Sequence, residues 1–151
     1  MNVVDVDRSD DSGEFRIGVV VSEFNAFVTE ALLSGCLEAL EAAGVGHVTV
    51  ARVAGALEVP VIARKLAASH DAVVAIGAVI EGETDHYTHV ANAASNGIAH
   101  VALETGIPVA NAVLTVRDVA HARDRSLPGP SNKGYEAAEA ALQAARVLRQ
   151  L

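Results

Sequence analysis

Two hydrophobic patterns alternate along the chain between Arg16 and Leu148. Residues 16–21 (RIGVVV) form an almost continuous apolar run, as a parallel strand covered on both faces requires. From Phe27 the apolar positions Val28, Leu32, Cys36, Leu40 and Ala43 recur at helical spacing, and Gly44 ends the pattern. Residues 47–53 (HVTVARV) read as a second strand, and residues 58–68 as a helix beginning around Pro60, a residue tolerated in a first turn. A third buried strand is predicted over 72–79 (AVVAIGAV), then a long helix from Asp85 to Glu104 that Gly106 breaks. Residues 108–114 (PVANAVL) make the fourth strand. Two helices close the chain, over 116–125 and 134–149, the second with Ala138, Ala141, Leu142, Ala145 and Leu148 on one face. Such alternation implies right-handed crossovers and one parallel four-stranded sheet with helices on both faces, a single-domain three-layer α/β/α sandwich. Residues 1–14 are polar and acidic apart from Val4 and Val6; they read as a flexible arm, or as an edge strand that pairs only on assembly. The expected organisation is therefore an acidic arm (1–14) and one domain (15–151), with no internal repeat and no linker.

Composition sharpens this picture. Of the 151 residues, 51% are hydrophobic but only 3% aromatic, so the core falls to Ala, Val, Leu and Ile. Small aliphatic side chains bury little area each, and a domain of this kind gains stability by assembling. The formal net charge is -8, with Lys65 and Lys133 the only lysines. That surface repels nucleic acid and anionic membranes, so neither is an expected partner. A small anion held by a few arginines is still admissible. Cys36 is the only cysteine, which excludes an intrachain disulfide and a cysteine-based metal site. Its apolar neighbours make it a small buried hydrophobe. No apolar run approaches a membrane span, and the N-terminus is acidic where a signal peptide would be basic, so a cytoplasmic protein is expected.

Ligands of parallel α/β sheets sit at the carboxyl ends of the strands. That rule selects residues 22–26, 54–58, 80–86 and 111–117. The loop 80–86 (IEGETDH) runs from a buried strand into a long helix. Gly82 admits close backbone approach, and the N–H groups of Glu83, Thr84 and Asp85 at the helix start make an anion site. Alternatively, Thr84 or Asp85 simply caps the helix. His86 falls in the first turn, where the positive helix end disfavours a charged ring and suits a proton shuttle; a structural histidine is the competing reading. His89 and Glu83 lie one turn to either side of His86, a spacing that zinc can use, but no fourth ligand is visible and no metal is expected. Arg125 and Lys133 bracket the stiff segment SLPGPSN and could serve a phosphate as fork and point charge, or stand as plain surface charges. Phe24 follows the first strand and could stack on a flat heterocycle or pack in the core. Glu58, at the exit of the second strand, could accept hydrogen bonds from ligand hydroxyls or sit idle in a helical turn. No Ser-His-Asp ordering, Walker A loop or GxGxxG fingerprint is present.

Taken together in order, these segments resemble the lumazine synthase family from about Arg16 to Leu148. SEFN stands where the family has an aromatic-Asn or aromatic-His pair, and RVAGALEVP resembles its VPGAxExP segment. GAVIEGETDHYTHV resembles its GxVIRGETxHFxxV segment, and LETGIPVANAVLT and NKGYEAA also fit. The resemblance implies a flavodoxin-like fold that assembles as pentamers. It implies the cofactor-free condensation of 5-amino-6-(D-ribitylamino)uracil with 3,4-dihydroxy-2-butanone 4-phosphate to 6,7-dimethyl-8-ribityllumazine, in riboflavin biosynthesis. By the same resemblance Phe24 stacks on the pyrimidine, Ala56 and Glu58 bind the ribityl chain, and Val79 and Ile80 line the pyrimidine pocket. Gly82, Glu83 and Thr84 contact phosphate with Arg125 as its cation, and His86 transfers protons. Asn111 and Lys133 complete the substrate-binding set. Arg125 and Lys133 would reach the pocket of the next subunit.

Three positions depart from the family pattern: Ala54 replaces a Pro, Glu81 replaces a basic residue, and Asn111 stands where many members have an aromatic residue. The turn between Arg125 and Lys133 carries no insertion relative to members that build icosahedral shells of sixty subunits, so such a shell is an expectation, as is association with riboflavin synthase. A non-catalytic relative, forming shells or binding flavin or lumazine, is the alternative. Joint retention of Phe24, Glu58, His86, Arg125 and Lys133 favours the enzyme. A receiver-type signalling domain would share the alternation, but the acidic cluster of a phosphoacceptor site is missing after the first strand.

Overall fold

Apolar strands buried on both sides need a layer of helices on each face, and the chain supplies both. The computed structural model describes residues 1–11 and 13–151. Four parallel strands, β1 (Arg16–Ser22), β2 (His47–Val53), β3 (Ala72–Ile80) and β4 (Val109–Val116), form one sheet in the order β2-β1-β3-β4. The helices are α1 (Ala26–Ala42), α2 (Val59–Ala67), α3 (His86–Thr105), α4 (Val119–Arg125) and α5 (Lys133–Gln150), with a short 3-10 turn at Ala56–Glu58.

Side chains alternate across a strand, and the two cores follow that period. Ile17, Val19 and Val21 of β1, with Val74 and Ile76 of β3, face Leu32 and Leu40 of α1 and Leu142 of α5. Val20, Val73 and Ala75 face Val59 and Ala63 of α2 and Ile98 and Val101 of α3. With so few aromatic residues, the helices close in through small side chains. At Gly97 a Cβ would lie 2.7 Å from Pro60, so α3 meets α2 there only because the position is glycine. Gly134 plays the same part between α5 and α1, since a Cβ there would collide with the carbonyl oxygen of Leu32.

The predicted elements recur with shifted ends. β4 runs to Val116, not 114, because Thr115 and Val116 hold register with Val79 and Ile80. α4 correspondingly begins at Val119, where the Asp118 carboxylate accepts from the Ala120 N–H at 2.7 Å. The fourth expected loop, 111–117, therefore shrinks to Arg117 and Asp118, and Asn111 lies inside an edge strand. None of the described residues in the expected arm forms a strand within this chain, and Ser12 lies outside the described residues. The arm runs beside the end of α5. The Asp7 N–H donates to Gln150 Oε1 at 3.1 Å, and Arg149 donates to the Glu14 carbonyl at 2.7 Å with its guanidinium 3.7 Å over the Phe15 ring. Among the described residues no helix is long and apolar enough to cross a membrane.

Candidate active site

Three strand exits meet at one end of the sheet. Past β1, the Glu23 N–H donates to the Val53 carbonyl (2.8 Å) and the Phe24 N–H to the Ala54 carbonyl (3.0 Å), which joins the loops after β1 and β2. Asn25 then turns the chain into α1 with φ 61 and ψ 47, a left-handed conformation that asparagine tolerates better than most residues. Its amide donates to the Ala78 carbonyl of β3 at 2.9 Å, where β1 no longer pairs with that strand. The turn leaves Phe24 72% exposed, so core packing is not its role.

After β2, the Glu58 carboxylate accepts from the Gly55 N–H at 3.0 Å while the Glu58 N–H donates to the Gly55 carbonyl at 3.2 Å. This reciprocal pair fixes the carboxylate at the loop's rim through one oxygen, Oε2. Ala56 beside it is buried.

Past β3, the Glu81 N–H donates to the Val116 carbonyl at 2.9 Å, and the chain then leaves the sheet. α3 begins at His86, one residue later than predicted. The Thr84 hydroxyl accepts from the His86 N–H at 3.3 Å, whereas Asp85, at the cap position, makes no side-chain cap bond. Its carboxylate lies 3.7 Å from His89 Nε2 instead. Among the described residues, nothing accepts from the backbone N–H groups of Gly82, Glu83, Thr84 or Asp85. Donors left free in this way are the chemistry an anion needs, although they precede the helix rather than belong to its first turn. Among the described residues, no three of the His, Cys, Asp and Glu side chains are grouped to hold a metal ion.

These exits enclose a cleft of about 480 Å³. Phe24, Ala56, Glu58, Val79, Ile80, Gly82, Thr84 and His86, all expected at the site, line it. Leu57, Tyr87 and Val90 also line it and were not anticipated. Tyr87 and Val90 are three apart at the start of α3, a spacing that puts both on one face, so the helical period was the available signal. Four expected residues are not brought to this cleft by the single chain. Glu83 does not line it and is exposed. Arg125 ends α4 and donates to the His121 carbonyl at 3.1 Å. Asn111 and Lys133 instead line a separate hollow of about 290 Å³ on the outer strand β4. There Lys133 Nζ lies 2.8 Å from Glu136, and Asn111 Oδ1 accepts from the Val113 N–H at 2.9 Å.

The chain matches the family model described as 6,7-dimethyl-8-ribityllumazine synthase over residues 14–149. A protein of that name from Thermobifida fusca (strain YX) is 49% identical over 143 residues, covering 93% of this chain and 84% of the relative. Another, from Mycobacterium sp. (strain KMS), is 44% identical over 151 residues, with 99% and 94% covered. A third, from Mycolicibacterium paratuberculosis, is 46% identical over 143 residues, with 93% and 89% covered.

Proposed function

Because this chain belongs to the 6,7-dimethyl-8-ribityllumazine synthase family, we propose that it is an enzyme of riboflavin biosynthesis that condenses 5-amino-6-(D-ribitylamino)uracil with 3,4-dihydroxy-2-butanone 4-phosphate. The amine attacks the ketone to give an imine, phosphate is eliminated, and the ribitylamino nitrogen closes the ring with loss of water. These steps call for proton transfer and charge control but no electron sink, so no cofactor is required. Much of the rate comes from holding two substrates in register.

The observation that carries this reading is the convergence of eight expected residues on one cleft at three strand exits. Phe24 at the rim offers a ring to the pyrimidine, and Val79 and Ile80 form the apolar wall beside it. Glu58, fixed through one carboxylate oxygen, offers the other to the ribityl hydroxyls above Ala56. The free N–H groups from Gly82 to Thr84 receive the phosphate. His86, at the start of α3 and on the cleft, moves the protons.

Arg125, Lys133 and Asn111 enter the proposal through assembly. The chain acts as a homo-oligomer, a pentamer in which a neighbour's Arg125 and Lys133 complete each cleft, with Asn111 on the same edge. In this reading pentamers further close into a sixty-subunit shell in the cytoplasm and hand product to riboflavin synthase; light scattering on the eluted assembly, with and without riboflavin synthase, tests both. The reaction itself is tested by mixing purified protein with both substrates and following lumazine absorbance and fluorescence. The expected result is product from the wild type at a rate far above that of the His86→Ala, Arg125→Ala double variant. A folded, assembled protein giving no product above background would leave the non-catalytic shell-forming or ligand-binding relative as the better reading.

A further inference from the structure

We propose that Arg117 is a positioning residue that neutralises Glu81 and so keeps the phosphate end of the cleft open to an anion. This inference rests on the reading above for the identity of that anion. Glu81 is the first residue beyond β3, and Gly82, which lines the cleft, follows it directly. Glu81 thus stands at the head of the run of free N–H donors from Gly82 to Asp85. A negative charge there opposes the ligand those donors suit, in a chain whose net charge is already -8. Among the described residues, no lysine or arginine lines the cleft.

The fold supplies a remedy from the next strand. The bond from the Glu81 N–H to the Val116 carbonyl (2.9 Å) keeps β3 and β4 paired to their exits, which brings residue 117 alongside residue 81. Arg117 Nε lies 3.7 Å from Glu81 Oε2. Among the described residues, Arg117 is the one Lys or Arg paired with a residue of the loop 80–86. The Arg117 side chain is 85% exposed, so it has little packing to lose, and its part is electrostatic. Exposed pairs add little to stability. What this pair changes is the field at the mouth of an anion site, an effect that is strongest when the Debye length is long.

The test compares wild type, Arg117→Ala and the double variant Glu81→Gln, Arg117→Ala. KM for each substrate is measured at about 0.01 M and about 0.5 M salt. Arg117→Ala is expected to raise KM for the phosphate substrate about three-fold at low salt, with little change at high salt. KM for the pyrimidine substrate should stay put, and the double variant should return the phosphate KM to the wild-type value or below. A raised KM in the double variant would mean that Arg117 touches the substrate itself and would overturn the proposal. So would an unchanged KM in Arg117→Ala at low salt, or equal rises for both substrates. If the wild type makes no product, the functional reading fails on its own. Titration of the same three proteins with inorganic phosphate then decides the inference: weaker binding in Arg117→Ala at low salt, recovered in the double variant, supports it, and equal affinities refute it.

Discussion

Asn132 is 1% exposed, and its side chain makes four hydrogen bonds that join three helices. Its Oδ1 accepts from the Gly134 N–H (2.8 Å) and the Tyr135 N–H (3.2 Å), capping α5. Its Nδ2 donates to the carbonyls of Ala31 in α1 (3.1 Å) and Ser126 at the end of α4 (3.0 Å). Replacing it by alanine removes an N-cap worth about 1 kcal/mol. It also removes two buried amide bonds worth about 1 kcal/mol each and leaves a small void, so Asn132→Ala should cost about 3 to 4 kcal/mol. Asn132→Ser keeps an oxygen for the cap and loses only the donor side, for about 2 kcal/mol. Asn132→Asp keeps the cap too, but turns a carboxylate towards two carbonyls and should be no better than serine. Urea unfolding followed by circular dichroism measures all three, at one fixed protomer concentration because assembly makes apparent stability concentration-dependent. A loss below about 1 kcal/mol for Asn132→Ala would refute the assignment of a central tie. Equal losses for serine and alanine would refute the division between cap and amide. Because Arg125 and Lys133 flank this turn, kcat/KM should also fall in Asn132→Ala at temperatures where the variant is still folded.

Asn25→Ala should cost about 2 kcal/mol, from left-handed strain and a lost bond, whereas Asn25→Gly should cost about 1 kcal/mol from the bond alone; equal unfolding free energies would discard the strain argument. Phe24→Ala should leave stability within about 0.5 kcal/mol, since the ring is mostly exposed, yet raise KM for the pyrimidine substrate about ten-fold through the lost stack. A drop in melting temperature with unchanged KM would return Phe24 to a packing role. Burial pushes the Cys36 thiol from its ordinary 9.0 up to about 12, so the folded chain keeps a proton that the unfolded chain sheds above pH 9. That contribution is intact below pH 9 and falls by about 1.4 kcal/mol per unit from there towards 12. Between pH 8 and pH 10 the wild type should therefore lose about 1.4 kcal/mol more unfolding free energy than Cys36→Ala, and parallel losses would contradict a buried, protonated thiol.

The strands and helices could be read from the chain because burial on both faces leaves no alternative to a continuous apolar run, as in Ala72–Ile80. The end of β4 could not, because Thr115 and Val116 give no strong pattern and register with Val79 and Ile80 decides it. Asn25 is hidden for the same reason: its conformation is secured by a carbonyl at Ala78, fifty-three residues away. At the site, Phe24, Glu58 and His86 could be found because each follows a strand, and the strand-exit rule needs only strand order along the chain. Asn111, Arg125 and Lys133 obey no such rule. Asn111 and Lys133 mark the sheet's outer edge, and Arg125 ends a short helix, none of them on the cleft. That separation has a chemical consequence. A phosphate entering the cleft meets backbone donors but, among the described residues, no lysine or arginine, and Glu81, at the head of the donor loop, opposes it. In the proposed assembly, positive charge comes from outside the cleft: locally from Arg117, proposed to offset Glu81, and across an interface from Arg125 and Lys133 of another copy. Catalysis and assembly are then one problem. Dilution that separates the subunits should abolish activity without unfolding the cleft, while mixing His86→Ala subunits with Arg125→Ala subunits should restore sites that neither variant forms alone.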